Sequence, residues 1–228
     1  MHADGIAPVR RRLARETAIV YALFTLPGLA LPAALTAMEF DGAVFLSLAL
    51  RNAAFTLLVL YFVDLRGERG VVFGRSLGIA KQLGLALTIA AGLYCLAIAV
   101  ATIAGLLPFV TQQSVVAWRV PTRPWELISF VAAMLTIGIT EEVLFRAYLM
   151  HRLQQLGLPQ LRAVLTAALL FAVGHLYQGA TAFVFAAAAG IALGLMWLRI
   201  PSIGSFAAGH AIYNTVVVLI SSAERGMY

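Results

Sequence analysis

The chain has 228 residues, of which 62% are hydrophobic and 11% charged, and its mean hydropathy is +0.93. A soluble domain is nearer half apolar and a quarter charged, so an ordinary water-soluble fold is excluded and an integral membrane protein is expected. The formal charge of +6 does not point to nucleic acid, because most Lys and Arg sit between apolar runs, where they set topology.

Apolar runs follow one another along the chain. Arg10, Arg11, Arg12 and Arg15 precede the first, roughly Thr17–Met38. Its basic start resembles a signal peptide, but its length and the runs behind it favour a retained helix, kinked at Pro27 and Pro32. The second run, roughly Ala43–Val63, contains Arg51 and Asn52. A charged, glycine-rich loop, "DLRGERGVVFGRSLGIAK", separates it from a third, roughly Gln82–Leu107. Cys95, the sole cysteine, lies in that run, which rules out an intrachain disulfide and suggests a buried thiol. The segment "PFVTQQSVVAWRVPTRPWE" follows. Its Trp118 and Trp125 suit a membrane interface, and a short helix lying on the membrane is expected there. Four closely spaced runs complete the chain, roughly Trp125–Met150, Leu161–Tyr177, Ala180–Leu198 and Ile203–Ser221.

The pattern predicts an all-α polytopic bundle of about seven transmembrane helices, or eight, in one integrated membrane domain. Residues 1–124 supply the N-terminal helices and interfacial segment, and 125–221 a C-terminal core. The lipid bilayer is one partner. The basic residues of the N-terminus, of the loop with Arg66, Arg69, Arg75 and Lys81, of the Arg152–Arg162 turn and at Arg199 fall on one side of seven spans. Arg119 and Arg123 are the exceptions. The positive-inside rule therefore places the N-terminus in the cytoplasm and the C-terminus outside. Richness in alanine, leucine and arginine suggests a GC-rich prokaryotic genome and a multi-pass protein of its cell membrane.

The polar groups inside these runs carry the chemistry. "ITEEVLFRAYLM" places Glu141, Glu142 and Arg146 in a greasy helix. Ionised and unpaired at the bilayer centre, the three would cost roughly 9 kcal/mol. Glu142 and Arg146, at i and i+4, lie about 40° apart on a helix with the acid first, the favourable order. Glu141 points about 100° away from Glu142 and has no local partner. "LLFAVGHLYQG" supplies Phe171 and His175, and "SFAAGHAIYNT" supplies His210 and Asn214 one turn apart. Each group has a structural reading: ion-pair glue, a hydrogen-bonded histidine, an asparagine at a helix contact. Their coincidence on three nearby helices favours function, since intramembrane ionisable residues are functional candidates. Arg51 and Asn52 read as structural, with a cavity carboxylate as the other partner for Arg51. His151 reads as a solvated turn residue. Ala186, Gly190 and Gly194 form a small-residue stripe suited to close helix packing.

Carboxylate and imidazole together can activate water. Glu141 serves as general base and His175 orients the water or shares its proton. His210 and Asn214 donate to an oxyanion. The same Glu141, His175 and His210 form a catalytic zinc set, but no H-E-x-x-H occurs and Asn is a poor zinc ligand. The metal-free reading leads, with zinc as the alternative.

E-E-x-x-x-R at Glu141, Glu142 and Arg146, F-x-x-x-H at Phe171 and His175, and H-x-x-x-N at His210 and Asn214 together resemble the motif set of the CPBP family, the CAAX prenyl protease and bacteriocin-processing (Abi) proteins. Each motif alone is weak, whereas the ordered set is specific. The resemblance covers roughly Trp125–Ser221. It implies a four-helix catalytic core and a glutamate-type intramembrane endopeptidase acting on a membrane-associated protein or peptide. It further implies that Glu141 and His175 activate water, that His210 and Asn214 form the oxyanion site, and that Glu142, Arg146 and Phe171 support them. Two other readings are a non-catalytic binding or immunity protein of the same fold and a proton-coupled transporter. The transporter reading expects internal repeats, and none is evident.

Overall fold

In a computed structural model, the chain is described over residues 6–30, 39–106, 117–118 and 121–224. Two-residue strands, β1 (Glu39–Phe40) and β2 (Ala117–Trp118), pair in parallel. Everything else that is regular is helical: α1 (Ile6–Ala30), α2 (Gly42–Leu65), α3 (Arg69–Phe73), α4 (Ile79–Gly105), α5 (Pro124–Gln155), α6 (Gln160–Val173), α7 (Ala180–Arg199) and α8 (Ile203–Glu224). Among the described residues, five helices are long and apolar enough to cross a membrane: α2, α4, α5, α7 and α8. The chain is a multi-pass membrane protein. Among the described residues the expected count of about seven is not confirmed. Pro32 and the rest of the first run beyond Ala30 lie outside the described residues, as does most of the interfacial segment.

Helix α6 is the instructive exception. Its 14 residues extend roughly 21 Å at 1.5 Å per residue, short of a hydrocarbon core of ~30 Å. The turn that follows is therefore set at membrane depth rather than on the far surface. There a single 3₁₀ turn, Leu176–Gln178, ends at Gly179, whose φ of 100° suits glycine alone.

Local chemistry sets where the helices begin. Asp41 caps α2 by accepting from the backbone N–H groups of Ala43 and Val44. Pro124 opens α5, and the Glu126 carboxylate accepts from the N–H groups of Thr122 and Arg123. The two starts lie together: a Cβ on Gly42 would come within 2.6 Å of the Trp125 ring. The opposite end gathers the basic loops. Arg66 contacts Glu16, Arg152 contacts Glu68 at 2.5 Å, and the Arg75 N–H donates to the Pro201 carbonyl at 2.6 Å.

Helix α5 packs against α2 and α8, α8 against α4, and α6 against α7. Small residues permit these approaches. A Cβ on Gly190 would come within 2.9 Å of the Ala168 backbone, and one on Gly194 within 2.8 Å of Val164, so the predicted stripe is the α7–α6 seam. The tightest helix contact near the glutamates was not foreseen: a Cβ on Gly138 would come within 2.6 Å of the Ala207 carbonyl oxygen. Glycine there lets α8 lie directly on α5.

Two expectations are corrected. Cys95 is exposed on α4 rather than buried, because the surface of a membrane helix is itself apolar and an apolar run does not imply an interior position. His151 is not a freely solvated turn residue. Helix α5 continues to Gln155, where the side chain of His151 meets Gln155 at 2.9 Å and Glu68 at 3.5 Å. Beside it, Arg152 is fully buried, with its guanidinium over the Tyr148 ring.

Candidate active site

The middle of α5 carries the two glutamates. Immediately after them the helix widens into a π-helical segment, Val143–Leu149, in which every residue is buried. Such segments are rare and are frequent at functional sites. Glu142 is fully buried and Arg146 nearly so, and Arg146 Nε lies 3.2 Å from Glu142 Oε2. The expected i, i+4 pair therefore forms. Arg146 also sits over the Phe171 ring, 4.8 Å from its centroid, which adds a cation–π contact.

His210 joins this pair from α8. Its Nδ1 lies 2.8 Å from Glu142 Oε1, and its Nε2 lies 3.4 Å from Glu141 Oε2. A carboxylate accepts, so Nδ1 carries a proton and Glu142 fixes the ring orientation. A hydrogen bond from Nε2 to the Glu141 carboxylate requires a second ring proton. Glu141, Glu142, His210 and Arg146 thus form one connected chain of ionisable side chains, in which His210 is the bridge between the two glutamates.

His175 enters from the turn after α6. Its Nδ1 lies 2.8 Å from the Phe171 carbonyl oxygen, which only accepts, so in the neutral ring Nε2 bears the lone pair. The rings of Phe171 and His175 lie 4.5 Å apart, and those of Phe171 and His210 lie 6.4 Å apart. The F-x-x-x-H spacing thereby acquires a physical reason. The ring of Phe171 seats Arg146, and its carbonyl one turn earlier orients His175. Asn214, one turn beyond His210 on α8, is half-buried, and among the described residues its side chain has no hydrogen-bond partner.

Glu141 and His175, expected as a pair, make no direct hydrogen bond or ion pair among the described residues. Glu141 faces His210 instead. No group of three or more His, Cys, Asp or Glu side chains among the described residues is arranged to hold a metal ion. His210 Nδ1 is engaged by Glu142.

Sequence reasoning missed Thr140 and Thr56. The Thr140 hydroxyl accepts from Thr56 at 2.7 Å and has the Asn52 carbonyl at 3.0 Å and the Thr136 carbonyl at 2.6 Å. This link ties α2 to α5 one residue before Glu141. Threonines in an apolar run carry no signal that separates such a tie from a local hydrogen bond to the preceding turn.

Membrane-length helices enclosing a Glu–His–Glu–Arg chain at mid-depth define a polytopic membrane protein with a buried acid–base site. Residues 123–216 match the model of the family described as type II CAAX prenyl endopeptidase Rce1-like. At family level the match implies a CAAX-protease-type intramembrane endopeptidase. No curated protein and no solved structure matches the chain.

Proposed function

We propose that the protein hydrolyses a peptide bond near the C-terminus or membrane-anchored part of a protein or peptide substrate, without a covalent intermediate and without a metal. The carrying observation is His210 held between two carboxylates, Nδ1 on Glu142 and Nε2 toward Glu141.

In this reading the imidazolium of His210 is the electrophile of the site. Glu142 retains Nδ1–H, and the Nε2–H turns from Glu141 to the carbonyl oxygen of the scissile bond as negative charge develops there. The Asn214 amide, without another partner among the described residues, supplies a second donor. Glu141, released from His210, accepts a proton from water. His175 Nε2, a lone-pair acceptor because Nδ1 is committed to Phe171, takes the second hydrogen bond of that water and aligns it for attack. The proton collected by Glu141 passes to the departing amine. Arg146 balances Glu142, which keeps the chain ionised at a depth where an isolated charge is costly.

The basic end of the bundle, with Arg66, Arg69, Arg152 and Arg199, is proposed to face the cytoplasm, as the positive-inside rule requires. General acid–base catalysis contributes about 10²–10⁴-fold, so Glu141→Gln is expected to lower kcat by that factor in purified protein acting on a prenylated peptide, with His175→Ala following it. Unchanged cleavage in both variants refutes the mechanism.

A further inference from the structure

Arg51 is a cation that the mechanism does not use. It lies on α2 nine residues past Gly42, roughly 14 Å along the helix from the end where Gly42 meets the Trp125 ring. Interfacial headgroups are therefore distant from its backbone. Its side chain is exposed, and among the described residues it has neither a hydrogen bond nor an ion pair. The charges of the site at this depth are partnered: Glu142 with Arg146 and His210, and Glu141 with His210. Charged side chains inside spans face one another or a substrate path.

The position of Arg51 relative to the site is set by its neighbour. The Asn52 carbonyl lies 3.0 Å from the Thr140 hydroxyl, so Arg51 and Glu141 are each one residue from the contact that joins α2 to α5. Tyr177, from the membrane-depth turn that also carries His175, packs with Phe45, Ala49, Phe130, Met134 and Val218 and lies within electrostatic reach of both Glu141 and Arg51. Its phenol oxygen accepts from Gln178 Nε2 at 2.7 Å, which leaves its own O–H free to donate. A guanidinium fork and a phenol O–H beside a hydrolytic carboxylate form a donor set for a planar anion, and a guanidinium matches a carboxylate in bidentate fashion.

We propose that Arg51, with Tyr177 beside it, binds the free C-terminal carboxylate of the substrate, so that the enzyme measures its cleavage point from the end of the chain. The proposal rests on the endopeptidase reading for its ligand, but its test does not need turnover. Binding is read by fluorescence anisotropy on the Glu141→Gln protein in neutral lipid discs. The probe is a dansyl peptide ending in farnesyl-Cys-Val-Ile-Ser, made as the C-terminal acid and as the C-terminal amide. The acid is expected to bind at least tenfold more tightly than the amide. Arg51→Gln brings that ratio toward one, Arg51→Lys retains a reduced preference because the charge stays while the fork is lost, and Tyr177→Phe lowers it. Equal binding of acid and amide to the parent protein overturns the proposal, as does a parental ratio in both Arg51 variants. Loss of the preference in discs containing anionic lipid assigns Arg51 to lipid phosphate and also overturns it. Cleavage of the acid peptide by the protein with Glu141 intact is measured separately: a preference without cleavage sustains the subsite and refutes the hydrolase.

Discussion

Removing the charge of Glu142 separates the two tasks of the buried chain. In Glu142→Gln the amide oxygen still accepts from His210 Nδ1, now 2.8 Å from Oε1, but Arg146 loses its counter-charge. Arg146 is 2% exposed, and its Nη1 and Nη2 already lack hydrogen-bond partners. Breaking a buried pair by removing one partner costs about 3–5 kcal/mol. The Phe171 ring 4.8 Å away is the same in parent and variant and cancels, so a loss of about 3–5 kcal/mol is expected. Adding Arg146→Met removes the stranded cation and restores about 2 kcal/mol, because an apolar replacement of a buried pair is often close to neutral. The double variant stays inactive, since a neutral amide in place of the carboxylate no longer favours the imidazolium of His210. Reversible unfolding in mixed detergent, read by tryptophan fluorescence, gives the four corners of the cycle. If the two substitutions add within about 0.5 kcal/mol, Glu142 and Arg146 are not energetically paired and the proposed ordering of the site fails.

Three further outcomes are expected. Gly138→Ala forces a methyl group to within 2.6 Å of the Ala207 carbonyl, so α8 must shift at a cost of about 1–3 kcal/mol and activity falls with stability; a parental melting curve with full activity refutes that packing argument. Peptide cleavage is expected to survive stringent chelation, and a loss restored only by zinc, followed in the same assay, refutes the metal-free mechanism. Burial raises the pKa of Glu68, but hydrogen bonds from Gln155 and Arg152 outweigh it and hold the carboxyl below its ordinary value. The unfolded chain therefore binds that proton first, so stability is present above the ordinary glutamate pKa of ~4.3 and falls as pH drops through the lower folded value. Melting temperatures of Glu68→Gln are expected to lose this part of the acid decline; a slope identical to the parent's refutes it.

The membrane class, the C-terminal helices and the Glu142–Arg146 pair were legible in the sequence because each depends on composition or on spacing along one helix. The small-residue stripe was legible for the same reason, and the structure gives it a partner, α6. What was not legible depends on contacts between helices. That His210 rather than His175 faces Glu141 follows from how closely α8 lies on α5, which Gly138 permits and no periodicity records. The π-helical segment after Glu142 has no proline or glycine to announce it. Arg152 looked like a turn residue because its partner Glu68 lies 84 positions away in the chain. The short α6 was read as a span because the apolar run continues through His175 to Tyr177 although the helix ends at Val173.

That early end of α6 bears on supply of the second reactant. Hydrolysis consumes water, and a hydrocarbon interior is nearly dry. A helix of roughly 21 Å in a core of ~30 Å leaves a shortfall of roughly 9 Å above the turn that carries His175, Tyr177 and Gln178. Unlike a through-going helix, this one does not fill the bundle from face to face. The turn at its end carries an imidazole, a phenol and a carboxamide, groups that hydrogen-bond water. On the proposed mechanism, the early end of one helix gives the reacting water hydrogen-bond partners that a through-going apolar helix would not offer.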